Sequence, residues 1–318
     1  MLMLKKVKGI VCLLLAILLL AGLTGCEKSR PQAQNTTGQG AAYPITITDD
    51  AGRAIVLDKQ PQRIVSLSPS HTEILFALGL GERVAGVTTY CDYPLEAQSK
   101  PKIGGFSNPS VEKIIEASPD LVLAGDMHQQ VVTALEAAKI KVLVFTPNTM
   151  EDIFNTMTTI GKAAGEDEST QVLVDGLRQR VAAVTQKVAQ EQGPKPRVFY
   201  EVWHEPLMGA SQDTLIGELI KLSGGENIIG SSADLYPMIN EEIILEKDPE
   251  IMMHSYGHGD NKSPSSEQIL NRPGWQHLTF VKNKNVVGLE ANLVNRYGPR
   301  SVDALEQVAR AIHPELFK

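Results

Sequence analysis

Two glutamates stand in near-identical phrases, "SVEKIIEASPDLVLA" (110–124) and "NEEIILEKDPEIMMH" (240–254). In each, a capping residue (Ser110 or Asn240) precedes a helical pattern and an acid (Glu112 or Glu242) falls in its first turn. A proline (Pro119 or Pro249) then ends the helix ahead of an apolar strand. A carboxylate at that position gains a few tenths to about 1 kcal/mol from the positive end of the helix dipole, which is reason enough for either acid alone. It does not explain why the same acid recurs at the same place in the same unit. Two equivalent acids on paired lobes would form a two-point docking surface. Other reactive groupings are sparse. "MMHSYGHGD" sets His254 four residues before His258 with Asp260 beyond, a spacing that holds zinc on a helix, but Gly257 and Gly259 argue against a helix there. "GFSNPS" is not a nucleophile elbow, His71 in "SPSHTE" sits at a helix start where a polar residue is ordinary, and Cys91 between two tyrosines reads as a bystander thiol. No catalytic residue is identified, no metal site is assigned, and an enzyme is not expected.

The elements that must carry the two glutamates alternate. "RIVSLSP" (63–69) is a β-branched run stopped by Ser-Pro, and "SHTEILFALGLG" has helical spacing at Ile74, Leu75 and Leu78 with a glycine stop. "RVAGVTTY", the helix around Val111–Ala117, "DLVLA", "VVTALEAAKI" and "KVLVFT" continue as strand, helix, strand, helix, strand. Such alternation predicts a mostly parallel sheet flanked by helices. From Met150 to Gln192 the pattern turns helical. "STQVLVDGLRQRVAAVTQKVAQEQ" places Val172, Leu173, Leu177, Val181, Val184 and Val188 on one face, and "GPKP" ends it. Some 24 residues at about 1.5 Å each would reach roughly 36 Å, a rigid spine. Beyond it, "PRVFYEV" mirrors "QRIVSL" and "TLIGELIKLSGGENIIG" mirrors "TEILFALGLGERVAG" before the second glutamate phrase arrives. Three features repeated in order on either side of one helix predict two similarly built α/β lobes. The N-terminal lobe covers 43–165, the interlobe spine helix 166–192 and the C-terminal lobe 193–318.

Lys5, Lys6 and Lys8 precede an apolar run from Gly9 to Leu23 that closes on "LTGC" at Cys26, the pattern of an export signal ending in a lipoprotein box. Residues 1–26 are therefore expected to be a signal peptide and 27–42 a polar, flexible tether. The net charge of -7 falls to about -10 once the three signal lysines are removed, and an acidic body argues against a nucleic-acid partner. Of three cysteines, Cys12 and Cys26 belong to the signal, leaving Cys91 with no disulfide partner. The expected location is extracytoplasmic.

The lipobox, "RIVSLSPSHTEILFALG", "TTYCDYP", "GGFSNPSVEKIIEASPDLVLA", the single long helix, "SGGENIIG", "EEIILEKDPEIMM" and "GPR" before the last helix together resemble the substrate-binding lipoproteins of ABC importers for cobalamin, ferric siderophores and haem. The resemblance covers nearly all of the chain beyond the signal. It implies two lobes joined by a stiff helix, with a ligand cleft between them that closes only slightly. It implies a lipid on Cys26 that anchors the chain to the membrane. It also implies an ABC permease with its ATPase as partner, whose arginines would meet Glu112 and Glu242. No cofactor is expected beyond the transported ligand.

Pocket residues would then come from the loops after the strands: Tyr90, Tyr93, Phe106, Trp203, Tyr236, Asn292 and Arg296, with Tyr297 beside the last. The chain has only two tryptophans and seven tyrosines, so this many aromatics beside proline or glycine suits a large flat ligand. Trp275 in "RPGWQHL" is assigned to the core. "YCDYP" and "YEVWHEPLMGA" are most similar to cobalamin-binding members, which by resemblance makes Arg296 a contact to the amide rim of the corrin. Asn292 stands where such proteins can carry an aspartate, a departure from the pattern. Ferric siderophore binders muster more basic residues than Arg296 and Arg300. Haem stays open through Tyr90 or His204 as an iron ligand. A zinc-binding transport lipoprotein would share the spine helix, but no histidine-rich acidic insertion is found.

Overall fold

The structure, a computed structural model, describes residues 42–256 and 264–317. The signal peptide, Cys26, nearly all of the tether, His258 and Asp260 lie outside the described residues. The chain enters through an antiparallel hairpin, β1 (Ile45–Thr48) and β2 (Ala54–Leu57), whose turn places Gly52 at φ 74°. At the base of the turn, buried Asp49 accepts from Arg53 Nε (3.0 Å) and from the Val144 amide (3.0 Å), pinning the hairpin to the first sheet.

That sheet is all parallel. β3 (Ile64–Ser66) leads into α1 (Pro69–Ala77), then come β4 (Val84–Val87), α2 (Val111–Glu116), β5 (Leu121–Gly125), α3 (Gln129–Ala137) and β6 (Val142–Phe145). The strand order is β4-β3-β5-β6. The strands bury both faces, which is why they read as apolar runs without alternation. α1 starts where Ser68 accepts from the Ser70 amide and Pro69 occupies the first turn, where its missing N–H costs nothing.

α4 (Met150–Ala164) begins at a capping box of Thr149 and Asp152 and stops at Gly165, left-handed at φ 71°. The spine, α5 (Asp167–Val188), spans about 33 Å at ~1.5 Å per residue. Its inward stripe is Val174, Leu177, Val184 and Val188, with Leu173 and Val181 partly buried. Val172, expected on that face, is 71% exposed. Steps of three and four residues from Leu177 reach Val174, Val181 and Val184 but leave Val172 turned outward. The helix also ends at Val188, a few residues before Gln192.

The second lobe repeats the first. β7 (Arg197–His204), β8 (Leu207–Gly209), α6 (Leu215–Leu222), β9 (Glu226–Asn227), α7 (Glu241–Lys247), β10 (Ile251–His254), α8 (Ser266–Leu270), α9 (Thr279–Lys282), β11 (Val286–Gly288), α10 (Ala291–Val294) and α11 (Ser301–Ile312) follow in order. β7 is flanked by parallel β9 and β10, with β11 beyond β10, the same arrangement as β4-β3-β5-β6. Antiparallel β8 is the departure. The equivalence extends to single bonds. Arg63 donates from Nε to the carbonyls of Ala117 (3.0 Å) and Ser118 (3.2 Å), and Arg197 does the same to Lys247 (2.9 Å) and Asp248 (3.2 Å). Ser118 (φ 46°) and Asp248 (φ 42°) are both left-handed just before proline, and each arginine holds that strained turn.

One apolar cluster runs unbroken from Ile74 and Leu75 through Met157 and Ile160 of α4, Val174 and Leu177 of α5, Leu219 of α6 and Val308 of α11. Separate clusters fill the other face of each sheet, and fully buried Trp275 belongs to the second lobe's. Polar straps reinforce the junction. Arg180 of α5 donates to Asp303 (2.6 Å) and Glu306 (2.9 Å) of α11, and Glu218 of α6 accepts from the Met150 amide at the start of α4 (2.7 Å).

Because the lobes share that cluster, Leu177→Ala should cost about 2–5 kcal/mol and lower a single denaturant transition seen alike by fluorescence and circular dichroism. Val172→Ser should stay within about 0.5 kcal/mol of the parent. His71 supplies a pH test. It is enclosed against Phe145, ring centroids 5.3 Å apart, and burial first, then the charge of His128, push its imidazole down to about 4 from 6.5, against a hydrogen bond to the Leu123 backbone. The native state holds it neutral, so its contribution is fully present above pH 6.5 and is lost as pH falls toward 4. At about 1.36 kcal/mol per unit this amounts to about 3 kcal/mol, and His71→Gln should flatten the loss of unfolding free energy over that window.

Candidate functional site

The strand ends of the first lobe and the loop between α10 and α11 of the second meet around a cavity of about 580 Å³. Four of the expected residues stand in its wall: Tyr90, Phe106, Asn292 and Arg296. Tyr90 is 61% exposed and presents its ring to the opening. Its position follows from its neighbour. Cys91 is buried, and its Sγ lies 3.1 Å from Thr72 Oγ1 and 3.2 Å from Thr88 Oγ1, so the thiol pegs the loop inside the lobe while Tyr90 and Asp92 point out. Phe106 is placed by His128, whose Nδ1 accepts from the Gly125 amide (3.0 Å) and whose Nε2 donates to the Phe106 carbonyl (2.7 Å). The two rings meet edge to face with centroids 5.6 Å apart. Ser70 and Asn295 add hydroxyl and amide groups to the wall.

Arg296 is not a free cation. Its Nη1 donates to Glu73 Oε1 (3.0 Å) and Asp92 Oδ1 (2.6 Å), and its Nη2 to the Tyr90 carbonyl (3.3 Å). Arg300 donates to both oxygens of Glu73, at 2.6 and 2.8 Å, and lies 3.9 Å above the Tyr93 ring. Burial disfavours the charge of Asp92, but the hydrogen bond and charge of Arg296 outweigh it and hold the carboxyl below its usual range. The same balance, burial against carboxylate partners, holds both guanidinia above theirs.

The remaining expected residues are placed elsewhere. Tyr93 is half exposed beneath Arg300, beside the cavity. Trp203 lies near the end of β7, outside that wall, with its indole N–H donating to the Glu205 carbonyl (2.8 Å) and its ring 5.0 Å from His204. Tyr236 is 37% exposed in the second lobe beside Tyr200 and Tyr297, whose phenols burial and then Tyr236 itself push upward. His254 is buried on β10, stacked on Tyr256 at 4.8 Å, and Tyr256 bonds buried Glu201, which also pairs with Arg272. Among the described residues no group of three or more His, Cys, Asp or Glu side chains is disposed to hold a metal ion.

Glu112 and Glu242 occupy equivalent, exposed positions. Ser110 caps α2 by accepting from the Lys113 amide (3.3 Å), and its hydroxyl donates to Glu112 Oε2 (3.1 Å). Asn240 caps α7 by accepting from the Glu242 amide (3.0 Å), and its Nδ2 donates to Glu242 Oε2 (3.2 Å). Sequence reasoning passed over Glu73, Asp92 and Asn295. Glu73 did leave a trace, as the lone acid in the apolar run "HTEILFALG".

Comparison with known proteins agrees with this architecture. Residues 64–293 match the periplasmic binding protein family. The chain is 31% identical over 323 residues to an uncharacterized ABC transporter substrate-binding lipoprotein of Bacillus subtilis, covering 99% of each chain. It is 31% identical over 255 residues to a vitamin B12-binding protein of Photorhabdus laumondii, covering 80% of this chain and 88% of that one. The crystal structure of the periplasmic vitamin B12-binding protein BtuF of Vibrio cholerae superposes with a TM-score of 0.68 at 27% identity, over 81% of this chain and 99% of that one. With two α/β lobes joined through one helix and a cavity between the first lobe's strand ends and the α10–α11 region of the second, the chain belongs to the periplasmic binding protein family.

Proposed function

We propose that this protein is the lipid-anchored, extracytoplasmic binding component of an ABC importer and that its ligand is cobalamin or a related corrinoid. The observation that carries the reading is the interlobe cavity walled by Tyr90, Phe106, Asn292, Asn295 and Arg296. Aromatic faces suit the flat macrocycle, and side-chain amides and hydroxyls suit its amide rim, because each buried polar group of the ligand needs a partner. Tyr93, Trp203 and Tyr236, which stand outside the wall, would contact the parts of so large a ligand that extend beyond the cavity. Relatives named as vitamin B12-binding support the ligand class, and a lipoprotein relative supports an acyl anchor at Cys26. Two acyl chains at about 0.8 kcal/mol per methylene would hold the protein at the membrane.

Delivery rather than chemistry is the proposed role, with no cofactor of its own and no nucleic-acid partner. Glu112 and Glu242, oriented alike by their capping residues, would receive cationic side chains of the permease, one per lobe.

Lipid-free protein titrated with cyanocobalamin should show saturable quenching of tryptophan fluorescence at micromolar ligand, and Phe106→Ala should weaken binding by about 1–3 kcal/mol. Saturable binding of haem or a ferric chelate with none of cyanocobalamin would reject the corrinoid assignment. Combined Glu112→Ala and Glu242→Ala should keep ligand affinity while abolishing stimulation of the reconstituted permease's ATPase. Unaltered stimulation would remove the docking role.

A further inference from the structure

Glu73 has no part in starting α1, since Ser68 caps that helix and Pro69 fills its first position. Its side chain is only 1% exposed, and every bond it makes is to a guanidinium of the opposite lobe, Oε1 to Arg296 (3.0 Å) and Arg300 (2.6 Å), Oε2 to Arg300 (2.8 Å). Gly298, between the two arginines, lies against Ser70 and Glu73 of α1. Asp92 takes a further donor of Arg296, and Glu290 lies 3.9 Å from Arg300. Three carboxylates thus face two guanidinia. Of these five, Asp92 and Arg296 stand in the cavity wall, and the rest of that wall, Ser70, Tyr90, Phe106, Asn292 and Asn295 among it, carries no charge.

We propose that Glu73 is a specificity-determining residue that selects the ligand by charge: by occupying Arg296 and Arg300 of the opposite lobe, it leaves the charge cluster beside the cleft one negative charge in excess. The cleft then accepts an uncharged or cationic, amide-rich macrocycle and refuses one bearing carboxylates. An anionic ligand could engage Arg296 or Arg300 only by displacing Glu73 or Asp92, leaving a carboxylate without its partner. The inference rests on the reading of the cavity as a macrocycle site and adds the charge rule to it.

The test compares cyanocobalamin, which has no net charge, with haemin, which carries two carboxylates, on the parent, Glu73→Gln and Arg300→Gln. The parent should bind cyanocobalamin more tightly. Glu73→Gln should shift the ratio of the two dissociation constants toward haemin by about tenfold or more, since both guanidinia lose their buried carboxylate partner and the negative excess is removed. Arg300→Gln keeps the Glu73–Arg296 pair and should shift the ratio the other way. A merely structural role would weaken both ligands together. If the parent prefers cyanocobalamin but neither variant moves the ratio beyond about twofold, the charge rule falls and the corrinoid assignment stands. A parent that prefers haemin, or binds neither, overturns both. If Glu73→Gln fails to fold, the sign of the Arg300→Gln shift decides alone.

Discussion

A helix that is buried along one side by two lobes at once constrains everything built on those lobes. The apolar stripe of α5 is part of a cluster that begins under β3 and ends under α11, so no plane of weak packing separates the halves. Bending at such a junction would open apolar surface on both sides, at about 25 cal/mol per Å² exposed, and would break the Arg180 straps to α11 as well. The packing that joins the lobes thus also sets where the two sides of the cavity stand.

The duplication gives this constraint its consequence at the surface. Arg63 and Arg197 hold equivalent left-handed turns, which fix where α2 and α7 end, while Ser110 and Asn240 fix where they begin. Two short helices with both ends determined carry Glu112 and Glu242, each carboxylate receiving a bond from its own cap. Helix capping and the proposed two-point docking surface would thus be one arrangement, since the residue that caps the helix also bonds the acid.

Charge distinguishes the cleft from the core beneath it. Buried ion pairs add little net stability compared with apolar packing, because desolvation offsets their attraction, whereas breaking one is costly. The Glu73 cluster accordingly contributes geometry more than stability: it seats the loop after α10 on α1, holds the Tyr90 carbonyl and supports the Tyr93 ring. The aromatic loop after β4 is tied from inside by Cys91 and from across the cleft by Arg296.

Much of this was legible in the chain itself, because it depends on local periodicity and capping. The alternation of apolar strands with helices, the proline stops, the Ser110 and Asn240 caps and the doubled order of elements are short-range signals, and they determined the two-lobed α/β plan, the spine and the paired glutamates. The outward turn of Val172 was decided by which face of α5 met both lobes, a contest that helical spacing alone leaves open among adjacent valines. The cavity was decided only in three dimensions. Tyr90, Phe106, Asn292 and Arg296 come from distant segments and share one wall, while Trp203 and Tyr236, equally aromatic and equally flanked by turn residues, stand outside it. Glu73 and Arg300 lie far apart along the chain, and nothing in their neighbours announces the bond. Local sequence specifies the elements through their own backbone hydrogen bonds, whereas a charge buried between lobes is explained only by a partner that folding brings to it.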